Sequence, residues 1–86
     1  MNEEIKKQLH KDTAILEPQE CFNKAIIGVD NQRLIYDYDL IIDNLMSYYG
    51  WEYIEALEWL EFNTIRSLPY MGRLAPIVKN TEDENE

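Results

Sequence analysis

AIIGVDNQRLIYDYDLIIDNLMSYYG, residues 25–50, contains the change of hydrophobic period that decides the fold. Its first part holds two apolar, β-branched runs, from Ala25 to Val29 and from Arg33 to Tyr36, around the polar turn Asp30-Asn31-Gln32. Two such runs joined by a short polar turn read as a β-hairpin. Gly28 interrupts the first run, which marks a bulge, a close backbone approach or a simple packing glycine. Near Asp37 the spacing becomes helical: Ile41, Leu45 and Tyr48 form one stripe, and Tyr38, Ile42, Met46 and Tyr49 broaden it. Either Asp37 or Asp39 caps the first turn, and Gly50 ends the helix.

A second helix begins at once in WEYIEALEWLEFNTIRSLPYMG, residues 51–72, and stops near Ser67, because Pro69 drives Leu68 out of the α region. At about 100° per residue, Tyr53, Ala56, Leu57, Leu60, Thr64 and Leu68 form the core face, with Ile54 and Ile65 at its margin. Trp59 falls on the opposite side with Glu52, Glu55, Asn63 and Arg66, while Phe62 lies nearer Glu55 and Glu58. Two readings compete for these aromatics: neighbouring loops cover them, or they anchor a partner, since Trp is enriched where binding energy concentrates. Arg66 most simply pairs with nearby carboxylates. Glu52, Glu55, Glu58 and Glu61 recur every three residues, so they wind obliquely around the helix instead of forming a straight row. With Asp37, Asp39 and Asp43 they either solvate the surface or present negative charge to a basic groove.

Outside these helices the pattern is weaker. Residues 1–12 form an arm that is flexible or a frayed helix, with Ile5 and Leu9 at helical spacing and Glu3 four residues before Lys7. Thr13 to Leu16 is compatible with a short edge strand that Pro18 ends. Residues 76–79 are compatible with another edge strand, and the acidic end, 80–86, has nothing to bury and reads as disordered. One domain over residues 13–79 follows from the length of 86 residues. The expected fold is α+β, a small antiparallel sheet built on the hairpin and covered on one face by two helices.

Seventeen acidic against eight basic side chains give a formal charge of −9, which opposes direct binding to nucleic acid or anionic lipid. Cys21 is the single cysteine, so no intramolecular disulfide can form, and no apolar run resembles a signal peptide or membrane span. A cytoplasmic setting is the default. One His and one Cys do not make a zinc site, no cofactor-binding glycine loop is present, and no histidine stands where it could activate a Ser or Thr. The expectation is a non-enzyme without metal or cofactor.

Residues 25–46, 55–72 and 75–78, above all the YDYD run and NTIR-x-LPY, resemble a family of small proteins from phages and mobile elements of gut bacteria. That resemblance supplies context and no active site. It implies a protein that binds a host protein, including inhibitors of nuclease-based defence that imitate DNA. The leading expectation is an acidic binding protein that docks Trp59, Phe62, Glu52, Glu55, Glu58, Asp37, Asp39 and Arg66 against a basic host surface. The alternative is a self-associating accessory protein, a homodimer closed by Trp59 and Phe62.

Overall fold

Along the chain the elements are α1 (Glu3–Lys6), α2 (Gln19–Phe22), β1 (Ile26–Asp30), β2 (Arg33–Asp37), α3 (Tyr38–Tyr49), α4 (Tyr53–Asn63) and β3 (Ile77–Lys79). They come from a computed structural model that describes residues 1–80. The acidic stretch expected to be disordered lies, from residue 81 on, outside the described residues.

The hairpin is set by its turn. Asn31 and Gln32 both take positive φ, 49° and 68°, which gives a two-residue turn the twist that the flanking strands need. β1 and β2 pair antiparallel, with Asp30 opposite Arg33 and Val29 opposite Leu34. The register shifts between Ile26 and Gly28, so Ile27 is the extra residue of a β-bulge, and its side chain stays exposed. A Cβ on Gly28 would meet only Ile35 Cδ1 at 3.6 Å. The glycine therefore marks the bulge and not a close backbone approach.

Asp37 ends β2 and caps α3, its Oδ1 accepting from the Leu40 N–H at 3.1 Å. Gly50, at φ 71°, closes the helix in the left-handed conformation. α4 starts on a capping box in which the Glu52 N–H donates to Glu55 Oε1 at 3.0 Å. Its α winding stops at Asn63, short of Ser67, and Ile65–Tyr70 continues as a 3-10 helix with Pro69 inside it. The cause is local: Ser67 engages the Thr64 carbonyl through its N–H (3.1 Å) and its hydroxyl (2.8 Å), and Pro69 has no N–H to continue an α ladder.

β3 joins β2 in parallel, Ile35 opposite Ile77 and Asp37 opposite Lys79, giving the order β1-β2-β3. The α+β class is as expected, but the sheet is mixed and only the hairpin is antiparallel. Two helices running out and back leave the chain near the end of β2, and residues 64–76 carry it to the strand's beginning. A strand entering there must run with β2.

The core lies between β2 and the helices: Leu34 and Tyr36 meet Ile41, Ile42, Leu45, Ala56 and Leu60. Its fourth wall comes from α2 and the 3-10 turn Asn23–Ala25, which place Cys21, Phe22 and Ala25 fully inside. That segment is tied down by the Leu16 N–H donating to the Tyr36 hydroxyl (3.1 Å) and by Asn44 Nδ2 donating to the Cys21 carbonyl (2.8 Å). Residues 13–16 form no strand. Thr13 Oγ1 donates to the Gln32 carbonyl (2.8 Å) and the Ala14 N–H to the Leu74 carbonyl (3.2 Å), so their bonds go to loops and not to a sheet edge. In the arm, Asn2 caps α1, Ile5 and Leu9 pack at the core's margin, and Glu3 pairs with Lys6, not Lys7.

Candidate functional site

Between Arg33 and Arg66 the chain has no Lys or Arg, while Asp37, Asp39, Asp43, Glu52, Glu55, Glu58 and Glu61 all fall there. Both long helices are thus drawn from a stretch with seven carboxylates and no cation of its own. Packing then sorts these groups. Asp37 is only 8% exposed and serves as the α3 cap, so it is not available to a partner, contrary to the expectation. Glu61 accepts from the Tyr38 hydroxyl at 2.7 Å where the helices abut. Burial first, and Glu61 beside it, push the Tyr38 phenol well above its ordinary value.

Trp51, Glu55, Glu58, Trp59, Phe62 and Asn63 line a shallow, open cleft of about 360 Å³. Gly50's left-handed turn brings Trp51 alongside α4, where Tyr49 stacks on it at 4.4 Å and 17°. Tyr48 stands edge-on to Tyr49 at 4.9 Å. The Trp51 and Trp59 rings are 6.0 Å apart and tilted by 45°, an open wedge. Trp59 reaches inward to Phe22, 6.4 Å away, and is half-buried. One side of the ring therefore belongs to the core's margin and another lines the cleft.

Phe62 is 65% exposed, and the Arg66 guanidinium lies 5.2 Å from its ring centre. Arg66 was expected to pair with carboxylates. Among the described residues it forms no ion pair and stacks on the aromatic instead.

Of the residues proposed from sequence, Glu55, Glu58, Trp59 and Phe62 converge on one cleft, with Arg66 at its edge and Glu52 at the adjoining helix cap. Asp39, half-buried, lies on the first turn of α3, while it is the last turn that carries Tyr48 and Tyr49 to the Trp51 side. Trp51, Tyr49 and Asn63 were missed. The available signal was the aromatic run Tyr48-Tyr49-Gly50-Trp51, in which the helix-ending glycine turns one aromatic back onto another.

Tyr53 and Ile54, placed at or beside the core face, are instead more than half exposed. The buried line Ala56-Leu60-Thr64 lies on the expected face. At about 100° per residue Tyr53 falls within about 20° of Leu60, so it is open because it stands at the N-terminal end of α4 and not because the helix is turned.

Elsewhere the surface offers less. A depression of about 420 Å³ lies at the hairpin turn between Arg33 and Arg73, where Arg33 Nε already donates to the Ala75 carbonyl at 2.7 Å. Cys21 is buried, and that burial, with Glu20 adding to it, pushes its thiol up and away from nucleophilic reactivity. His10 Nδ1 accepts from the Asp12 N–H at 3.0 Å. Among the described residues no group of three or more His, Cys, Asp and Glu could hold a metal ion, and no helix is long and apolar enough to cross a membrane.

Comparison with family models, curated proteins and solved structures found no match to this chain. The resemblance seen in the YDYD and NTIR-x-LPY runs accordingly contributes no site residue, and the cleft is read from its own chemistry.

Proposed function

We propose that the chain is a non-enzymatic binding protein whose α4 face, centred on Trp59, Phe62, Glu55 and Glu58, docks on a basic protein surface and occludes it. One observation carries this reading: the aromatic cleft coincides with the stretch of chain that has seven carboxylates and no Lys or Arg. Exposed rings supply contact area at low entropic cost, and a predominantly negative field steers a basic partner onto them. A surface that normally holds nucleic acid has the complementary charge. The mobile-element resemblance makes a nucleic-acid-binding protein of the host cell, including one that serves defence, the natural target, with the chain acting as a DNA mimic inside that cell.

The homodimer alternative is weaker on electrostatic grounds. A two-fold interface through this face would set each protomer's Glu55 and Glu58 against the same carboxylates of its copy. Like charges brought together destabilise the pair, and the cation at the edge of this face, Arg66, is already engaged with Phe62.

The test is capture of host proteins on the immobilised chain, followed by elution with heparin and, separately, with salt. A partner that a polyanion releases, that salt weakens steeply, and that loses its nucleic-acid binding when held supports occlusion. A chain that sediments as a dimer and becomes monomeric on Phe62→Ser would instead support self-association.

A further inference from the structure

Resting on the docking role just proposed, we infer that the cleft between Trp51, Trp59 and Phe62 is a subsite for a guanidinium, so that the partner's anchoring side chain is an arginine and not a lysine. At about 360 Å³ the cleft lies near the lower end of small-molecule pockets, about 300–1,000 Å³, and suits one side chain better than a cofactor. Three aromatic rings and two carboxylates form its walls; the lining residues include no Lys or Arg, and Arg66 stands at the edge over the Phe62 ring.

The geometry favours a planar cation. Trp51 and Trp59 open as a wedge, 6.0 Å between centres and tilted by 45°, and the Tyr49 ring stacked on Trp51 holds that indole in place. Glu55 is fixed as well, since its Oε1 accepts the Glu52 N–H of the capping box, while its second oxygen accepts no hydrogen bond from the described residues. Glu58, one helical turn on, is exposed. Planar guanidinium stacks flat on aromatic faces while its edge N–H groups reach carboxylates, whereas the compact, strongly hydrated ammonium of lysine does one of these at a time.

The chain itself supplies an independent instance of this chemistry. Arg66 rests its guanidinium 5.2 Å from the Phe62 ring centre and leaves the carboxylates of its helix unpaired by it. With Arg66 in place, Phe62 is still 65% exposed. One ring of the cleft thus already receives an arginine and has surface left for a second.

The experiment compares two peptides of equal length and charge, one with three arginines and one with three lysines, titrated against the full chain by intrinsic tryptophan fluorescence and calorimetry at two salt concentrations. The expected result is binding of the arginine peptide at least about fivefold tighter, with quenching of Trp51 and Trp59 emission and a preference that survives in high salt. Because Trp59→Ala could unfold the protein, the variants used are Phe62→Ala and Glu58→Gln, both on exposed side chains. In the double variant the preference should fall towards unity while weak, salt-sensitive binding of both peptides persists. Equal binding of the two peptides by the native chain, or an unchanged preference in the double variant, would overturn the arginine subsite and leave the acidic docking face standing. Binding of neither peptide would overturn both.

Discussion

Two aromatic clusters share Trp59 and have opposite fates. Phe22 and Tyr36 meet edge to face at 6.0 Å, both fully buried, with the Leu16 N–H on the Tyr36 hydroxyl. Tyr48, Tyr49 and Trp51 make comparable ring contacts yet, like Phe62, remain partly or largely open to solvent. Ring chemistry does not separate the groups. What separates them is cover: residues 14–25 fold over the first cluster, while the second faces outward among carboxylates. The inner cluster holds the fold, and the outer one is free to hold something else.

The sharpest way to break this contrast is Phe22→Ala. Removing a fully buried ring should lower stability by about 3–5 kcal/mol, read as a fall in the denaturant midpoint. Trp59→Ala comes next, at about 1–3 kcal/mol, because the ring is only half-buried and part of the space it leaves opens to solvent. A loss as large as that of Phe22→Ala would place Trp59 wholly in the inner cluster.

Alkaline pH tests the inner cluster without mutation. Burial raises the Tyr36 phenol above its ordinary value, the charge of Glu17 adds to this, and the Leu16 hydrogen bond partly offsets it. Tyr38 is raised too. A phenol whose pKa is higher folded than unfolded contributes stability that is complete below the unfolded value of about 10 and is lost as pH rises through the folded one. Stability should therefore fall above about pH 10, with tyrosinate absorbance showing a late-titrating class that appears together with unfolding. Tyr36→Phe should also cost about 1–3 kcal/mol at neutral pH, since it leaves the buried Leu16 N–H without its acceptor.

The smallest effect on stability belongs to the outer cluster. Phe62→Ala should change the thermal midpoint by no more than the equivalent of about 0.5 kcal/mol, the usual range for a surface substitution. Its effect should appear in binding instead. A large loss of stability would mean that Phe62 is a structural ring and would erase the distinction between the clusters.

Much of the fold was legible in local signals. Asp30-Asn31-Gln32 between two β-branched runs foretold the hairpin, Gly28 hinted at the bulge, and Asp37 and Gly50 bounded α3. These features depend on neighbours within a few residues. The α2 segment was not legible, because QECF is a single turn whose stability comes from Cys21 and Phe22 entering the core and from Asn44 holding the Cys21 carbonyl. The site was legible to a similar degree: Glu55, Glu58, Trp59 and Phe62 lie within eight residues on one helix, so helical spacing alone brought them together.

By itself, then, the sequence determined what short-range chemistry dictates: the hairpin, the two long helices, and the concentration of seven carboxylates without a cation between Arg33 and Arg66. Tertiary structure alone decided three further matters. It set β3 parallel to β2, because the return path of two packed helices chooses the end from which the strand enters. It left Tyr53 open at the N-terminal end of α4 although Tyr53 shares the helical face of the buried Ala56, Leu60 and Thr64, because the helical period does not say where along a helix the core stops. It also converted Trp51 from the first residue after a turn into a wall of the cleft. In each case the deciding contacts join residues far apart in the chain or across a turn, and such contacts exist only once the elements have packed.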